Sequence, residues 1–301
     1  MKMKMRTIAK GMLTLSVVAL ISTGCGTSTT NDCSDNTDNK EVDTAAENKS
    51  VKNVFYSIPS PVELCQLMER AGATYDKDLL NDINNGSKYT TTVSQGLNLG
   101  VYGADLSITS LFDKTQESLF YMKCTSNMAK SLGITTAFNG PSMSRMDANK
   151  GNRDSLLSII TDSYYETDDY LKENQRANIS ALVIAGGWVE ALYIGSQIGL
   201  RTNNDEVKTR IAEMKGSLNN LCGLLSLYKG EEGIDPIAKK LAELRTIYDQ
   251  VTASAGQTNV TTDEKTKVTT IGGGNKMVLT KDQFAMIAKK AEEIRNSIIK
   301  P

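Results

Sequence analysis

Two carboxylates are the residues whose type and setting could carry chemistry. Glu190 sits in the middle of Ala177–Leu200, the most apolar run outside the leader, and Asp105 lies on the other strongly apolar segment. If both share one cavity, desolvation and mutual repulsion raise their pKa values, and acid–base work on a glycan or peptide becomes conceivable. A carboxyl separation under about 10 Å beside an open cleft would suit a hydrolase. The alternative is a pair of structural acids satisfied by tyrosines, backbone groups or an arginine, with Arg201 and Arg145 as candidates. Asn98, seven residues before Asp105, extends the same seam, and Tyr102, Tyr193 and Trp188 fall on the same segments. These six residues, Glu190, Asp105, Asn98, Tyr102, Tyr193 and Trp188, form the candidate polar site.

Other chemistries are poorly supplied. Histidine is absent from all 301 residues, so no Ser-His-Asp or Cys-His arrangement and no histidine-bearing zinc site can be built. Cys33, Cys65, Cys124 and Cys222 include no C-x-x-C pair, and the last three read as small buried hydrophobes, with a disulfide between some pair left open. Gly272-Gly-Gly-Asn275 lacks a following G-K-[ST], so no phosphate cradle is expected. No cofactor and no metal are called for. Tyr102, Tyr164, Tyr165, Tyr170 and Tyr193 offer a further reading, the lining of a small-ligand pocket, or else filler between helices.

The elements that must position these groups are helical. Gly187, Ala191, Gly195 and Gly199 recur every four residues in the central run, and Gly96, Gly100 and Ala104 do the same upstream. Residues four apart share a helix face, so the spacing predicts two helices approaching backbone to backbone. The central run is long enough to cross a membrane, but Glu190 and its polar neighbours favour a buried core helix. Elsewhere the three–four spacing predicts amphipathic helices from Ser60-Pro61 to Gly72, Tyr75 to Asn85, Lys88 to Asp113, about 114 to 132, Asp154 to Asn174, Val207 to Tyr228, Asp235 to Val251, and Thr280 onward. Thr258 to Leu279 is threonine-rich and reads as two short strands around a glycine turn, or a flap. The fold class is therefore all-α, an antiparallel bundle of about eight or nine helices with one β excursion near the C-terminus.

The beginning of the chain has a different grammar. Lys2, Lys4, Arg6 and Lys10 precede a short apolar core, then Ser22-Thr-Gly-Cys25. This is an export signal, and with cysteine after the small pair it resembles bacterial lipoproteins. The resemblance implies cleavage after Gly24 and lipidation of Cys25; Ser22 departs from the leucine usual three residues before the cysteine. Residues 25–53 are almost devoid of apolar side chains and read as a disordered tether, and 54–301 as a single helical domain. Without residues 1–24 the chain keeps 30 bases against 35 acids, a formal net charge of −5, so nucleic acid is a poor partner.

Tyr56-Ser-Ile-Pro-Ser-Pro-Val-Glu63, Leu97-Asn-Leu-Gly-Val-Tyr-Gly-Ala-Asp105 and Ala185-Gly-Gly-Trp-Val-Glu190 together resemble uncharacterised helical lipoproteins of Bacteroidota. That resemblance implies a location in the cell envelope, anchored to a membrane through Cys25 and facing periplasm or surface, but no activity. The expectation is a non-catalytic binding or scaffold protein, with segment 258–279 as a docking edge for an envelope partner. The rivals are the carboxylate hydrolase and the small-ligand binder.

Overall fold

The computed structural model describes residues 57–134, 140–254, 259–262, 269–272 and 276–300. The leader, Cys25, the 25–53 tether and Cys33 lie outside the described residues. Those described belong to one compact unit. It is an all-α bundle: α1 (Pro61–Arg70), α2 (Thr92–Leu111), α3 (Thr115–Ser131), α4 (Gly140–Ala148), α5 (Arg153–Glu173), α6 (Ala177–Thr202), α7 (Asp205–Glu213), α8 (Lys215–Ser226), α9 (Ile234–Tyr248) and α10 (Lys281–Ile299). Between α9 and α10 lie β1 (Thr252–Ser254), β2 (Asn259–Thr262), β3 (Thr269–Gly272) and β4 (Lys276–Val278).

The helix starts follow local chemistry. Ser60 and Thr280 close capping boxes with Glu63 and Gln283, each pair satisfying two N–H groups that the first turn leaves open. α9 differs from expectation. It begins at Ile234 behind Gly233, whose φ of 81° needs glycine, while the Asp235 carboxylate accepts from the Gly230 N–H instead of capping the helix.

The core is organised around α6, in which every residue from Ile179 to Ser196 is buried. It alone among the described helices is long and apolar enough to cross a membrane, yet its apolar window is wholly covered by protein. Trp188 is 1% exposed and donates from Nε1 to Ser217 Oγ at 3.0 Å. α2 and α6 share the most extensive helix contact in the molecule. A methyl group at Gly100 would overlap the Val183 carbonyl, and one at Gly186 the Leu97 carbonyl. Backbone meets backbone there, and only glycine permits it.

The fourfold stripe on α6 is not one seam, however. Gly187 faces both Gly100 and Pro61, but Gly195 lies against Met68 and Ile211, and Gly199 against Phe284 and Val207. An α-helix drifts off a strict fourfold spacing because its turn holds 3.6 residues. The lower half of the stripe therefore serves α1, α7 and α10.

Three other departures have clear causes. The single helix expected from Val207 to Tyr228 is two, because Met214 turns with an N–H bond to Ile211 O, three residues back; the buried face of Val207, Ile211, Met214, Leu218, Leu221 and Leu225 nevertheless runs straight through. The helix expected at Tyr75–Asn85 is two short 3-10 turns, Lys77–Leu79 and Ile83–Lys88. Asp76 and Asp82 accept from Asp78 N and Asn84 N, and such side-chain bonds compete with helix continuation. In the β excursion, β1 pairs with β4 and β2 with β3, all antiparallel. The strands either side of 273–275 thus pair back to earlier strands and not with each other.

Candidate functional site: a buried carboxylate pair on an arginine

Leu79, at the end of the first 3-10 turn, and Asn81, in the extended link after it, reach the face where α2, α6 and α10 meet. α2 brings Asp105, α6 brings Glu190 and α10 brings Arg295. Both acids are fully buried and Arg295 is 6% exposed. Arg295 holds Glu190 with Nε 3.0 Å from Oε2 and Nη2 3.1 Å from Oε1, and Nη2 also donates to Leu79 O at 3.0 Å. Its guanidinium lies 4.7 Å from the centre of the Tyr193 ring. A bidentate, stacked arginine of this kind is the strong form of a buried ion pair.

Asp105 is held differently. Its Oδ2 accepts from Asn81 N at 3.2 Å, and no donor of the chain reaches Oδ1. Asp105 and Glu190 lie within hydrogen-bonding reach of each other. Two ionised carboxylates cannot rest there without strong repulsion, so the pair keeps one proton. Burial, and then the charge of Glu190, hold the Asp105 carboxyl well above the usual carboxylate range, against the opposing pull of Arg295 and the Asn81 N–H. Burial also raises Glu190, but the charge and hydrogen bonds of Arg295 oppose it, as does the hydrogen bond with Asp105. The guanidinium grips both Glu190 oxygens, so the proton belongs on Asp105, where it supplies the O–H that Glu190 accepts. The three side chains then sum to zero charge.

Asn81 is the hub of the surrounding network. Its Nδ2 donates to Tyr89 Oη at 3.1 Å, its Oδ1 accepts from Asn85 at 3.1 Å, and its carbonyl accepts from Tyr121 Oη at 3.0 Å. Asn98 joins by donating to Ile298 O at 3.0 Å and Ser94 O at 2.9 Å. Cys65 on α1 lies nearby, its thiol pushed up to about 12 by burial first and then by Asp105 and Glu190, which leaves it inert as a nucleophile.

The six residues of the expected site therefore divide. Glu190, Asp105, Asn98 and Tyr193 are together. Tyr102 stands one ring away, donating to Asp82 O at 2.8 Å and packed between Tyr89 and Tyr121. Trp188 does not belong; it faces α8. The arginine is neither Arg201, which pairs with Asp76, nor Arg145, which pairs with Asp162 at 3.4 Å, both on the surface. It is Arg295. Its one available signal was position: it sits among Ala291, Ile294 and Ile298 as the charged member of an otherwise apolar face.

A second buried acid, on α5, is not among the expected site residues. Asp168 is 4% exposed, with Oδ1 2.5 Å from Ser180 Oγ and Oδ2 2.7 Å from Lys172 Nζ. Its pKa is raised by burial against those two partners.

Neither acid site lines any of the main cavities among the described residues. Cavities of 460, 410 and 380 Å³ border the second 3-10 turn, α1 and the α8–α9 groove, and none is lined by Asp105, Glu190, Arg295 or Asp168. The five central tyrosines do not enclose one pocket either. Tyr164 edges a niche of only 20 Å³, Tyr165 borders the 410 Å³ groove, and Tyr170 donates to Gly133 O at 2.8 Å. Cys65, Cys124 and Cys222 are free thiols, and no metal-ligating cluster occurs among the described residues. Fold and site together define a helical bundle whose ionic centre is closed to solvent. Comparison with family models, curated proteins and solved structures finds no match.

Proposed function

We propose that the protein is a lipid-anchored helical binding or scaffold module of the cell envelope, held to the membrane through Cys25 and working without catalysis. One observation carries the non-catalytic half of this reading. The two carboxylates that could do acid–base work are fully buried and already committed, Glu190 to Arg295 and Asp105 to Glu190 and Asn81, and they line none of the main cavities among the described residues. A hydrolase needs its carboxyls close together and also open to substrate and water; only the first condition is met. Such a network fixes how α2, α6, α10 and the 77–81 link dock.

The envelope half rests on the basic leader and the Ser22-Thr-Gly-Cys25 sequence. The strand pairs β1–β4 and β2–β3, each a two-stranded ladder among the described residues, suit addition of a partner strand. The test is fractionation of cells expressing the full chain or Cys25→Ala. The reading expects the first in detergent-extracted membranes and the second released, with Glu190→Gln leaving fractionation and partner recovery intact. Membrane retention of Cys25→Ala, or loss of a hydrolytic activity in a folded Glu190→Gln chain, would overturn it.

A further inference from the structure

The 460 Å³ cavity lies between the Ile83–Lys88 turn and α3, and Asp105, Glu190 and Arg295 do not line it. Its volume falls in the range of small-molecule sites, and its lining specifies a kind of ligand. Phe120, at its edge, is 45% exposed and is the one exposed aromatic ring among the described residues. The buried side chains of Tyr89 and Met128 close the inner end.

Around this apolar face stand polar groups with unused hydrogen-bonding capacity. Among the described residues, Ser87, Lys123 and Asn127 have no side-chain partner in the chain, although all three line the cavity. Asn84 and Gln95 are half engaged: each donates its amide N–H₂, to Asp82 Oδ1 at 2.8 Å and Tyr89 O at 3.1 Å. That fixes the two side chains and leaves their carbonyl oxygens as positioned acceptors. Among the described residues, the lining contains no carboxylate and no arginine.

We propose that this cavity binds a neutral saccharide unit. A pyranose ring has one face of C–H groups, which an aromatic ring covers, and hydroxyls around its whole edge that need both donors and acceptors. The cavity offers the same arrangement: one ring, acceptors at Asn84 and Gln95, and donors at Ser87, Asn127 and Lys123 on opposite walls. A nucleotide fits less well, because a single lysine cannot clamp phosphates. An extended apolar ligand would leave the side chains of Asn84, Ser87, Gln95, Lys123, Asn127 and Ser131 facing hydrocarbon.

The experiment is titration of the folded, isotope-labelled protein with glucose, galactose, mannose and N-acetylglucosamine at millimolar concentration, and separately with adenosine. Backbone amide shifts of residues 83–95 and 120–131 are the readout. At least one sugar is expected to move these amides saturably, with Phe120→Ala and Asn127→Ala each weakening binding about tenfold. Both side chains are exposed, so the variants retain the fold, verified by unchanged shifts at α6. The control Leu227→Ala, on another surface, leaves the titration unaltered. No saturable shift with any of the four sugars, a response to adenosine alone, or sugar binding indifferent to Phe120→Ala would overturn the proposal.

Discussion

The two buried acid sites, Asp105–Glu190–Arg295 and Asp168–Lys172–Ser180, answer the same problem in opposite ways. Asp168 lies near the edge of the bundle, where Lys172 can keep its ammonium 24% exposed on the side-chain scale while bonding the carboxylate four residues back. That charge is only partly removed from water. At the centre no such compromise exists, because Glu190 is completely enclosed. The chain supplies a planar guanidinium from the last helix, backbone groups from the 77–81 link, and a proton. A peripheral acid is served by a flexible local partner; a central one requires partners converging from four segments. Glu190 and Arg295 are 105 residues apart in sequence.

The largest expected effect is at the cation. Arg295→Met leaves Glu190 buried without its counter-ion, and the loss should be about 3–5 kcal/mol in urea unfolding. A loss no larger than that of the peripheral variants would break the contrast between the sites. Glu190→Gln should cost less, on the order of 2 kcal/mol, because Asp105 can then surrender its proton and become the partner of Arg295. Equal losses for the two variants would show that no such exchange occurs. Asp168→Asn should cost about 1 kcal/mol, since its lysine partner stays partly hydrated.

Asp105 retains a proton in the folded chain that the unfolded chain releases, so the folded state binds more protons and stability falls as pH rises. The decline begins at the ordinary carboxylate pKa, continues up to the raised folded value, and amounts to at most about 1.4 kcal/mol per pH unit. The penalty is absent below that window and constant above it. Asp168, raised in the same direction, contributes with the same sign. Stability curves from pH 4 upward should therefore flatten in Asp105→Asn more than in Asp168→Asn.

Asp105 and Glu190 stand out in the sequence as carboxylates within its two most apolar segments, and the fourfold glycine spacing pairs those segments because close backbone approach leaves a pattern at fixed intervals. Gly100 and Gly187 do meet, yet Gly186, whose Cα faces the Leu97 carbonyl so closely that no Cβ fits, stood outside the pattern. The helices of the bundle were legible from periodicity for the same reason: their faces repeat. Asn81 was not, since it belongs to an extended link created when Asp76 and Asp82 draw off backbone N–H groups. Arg295 was hidden by distance along the chain. Asp168 shares α5 with acids that do face solvent, and nothing in its neighbours distinguishes it until Ser180 is seen opposite.

One proton resides on Asp105 while Glu190 stays ionised against Arg295. The carboxyl ¹³C shift of Asp105, followed by NMR across the pH range in the folded protein, tests this directly. The protonated-form shift at neutral pH, persisting well above the usual carboxylate range, is the result expected. A carboxylate shift for Asp105 at neutral pH, with Glu190 carrying the proton or neither acid protonated, would contradict it.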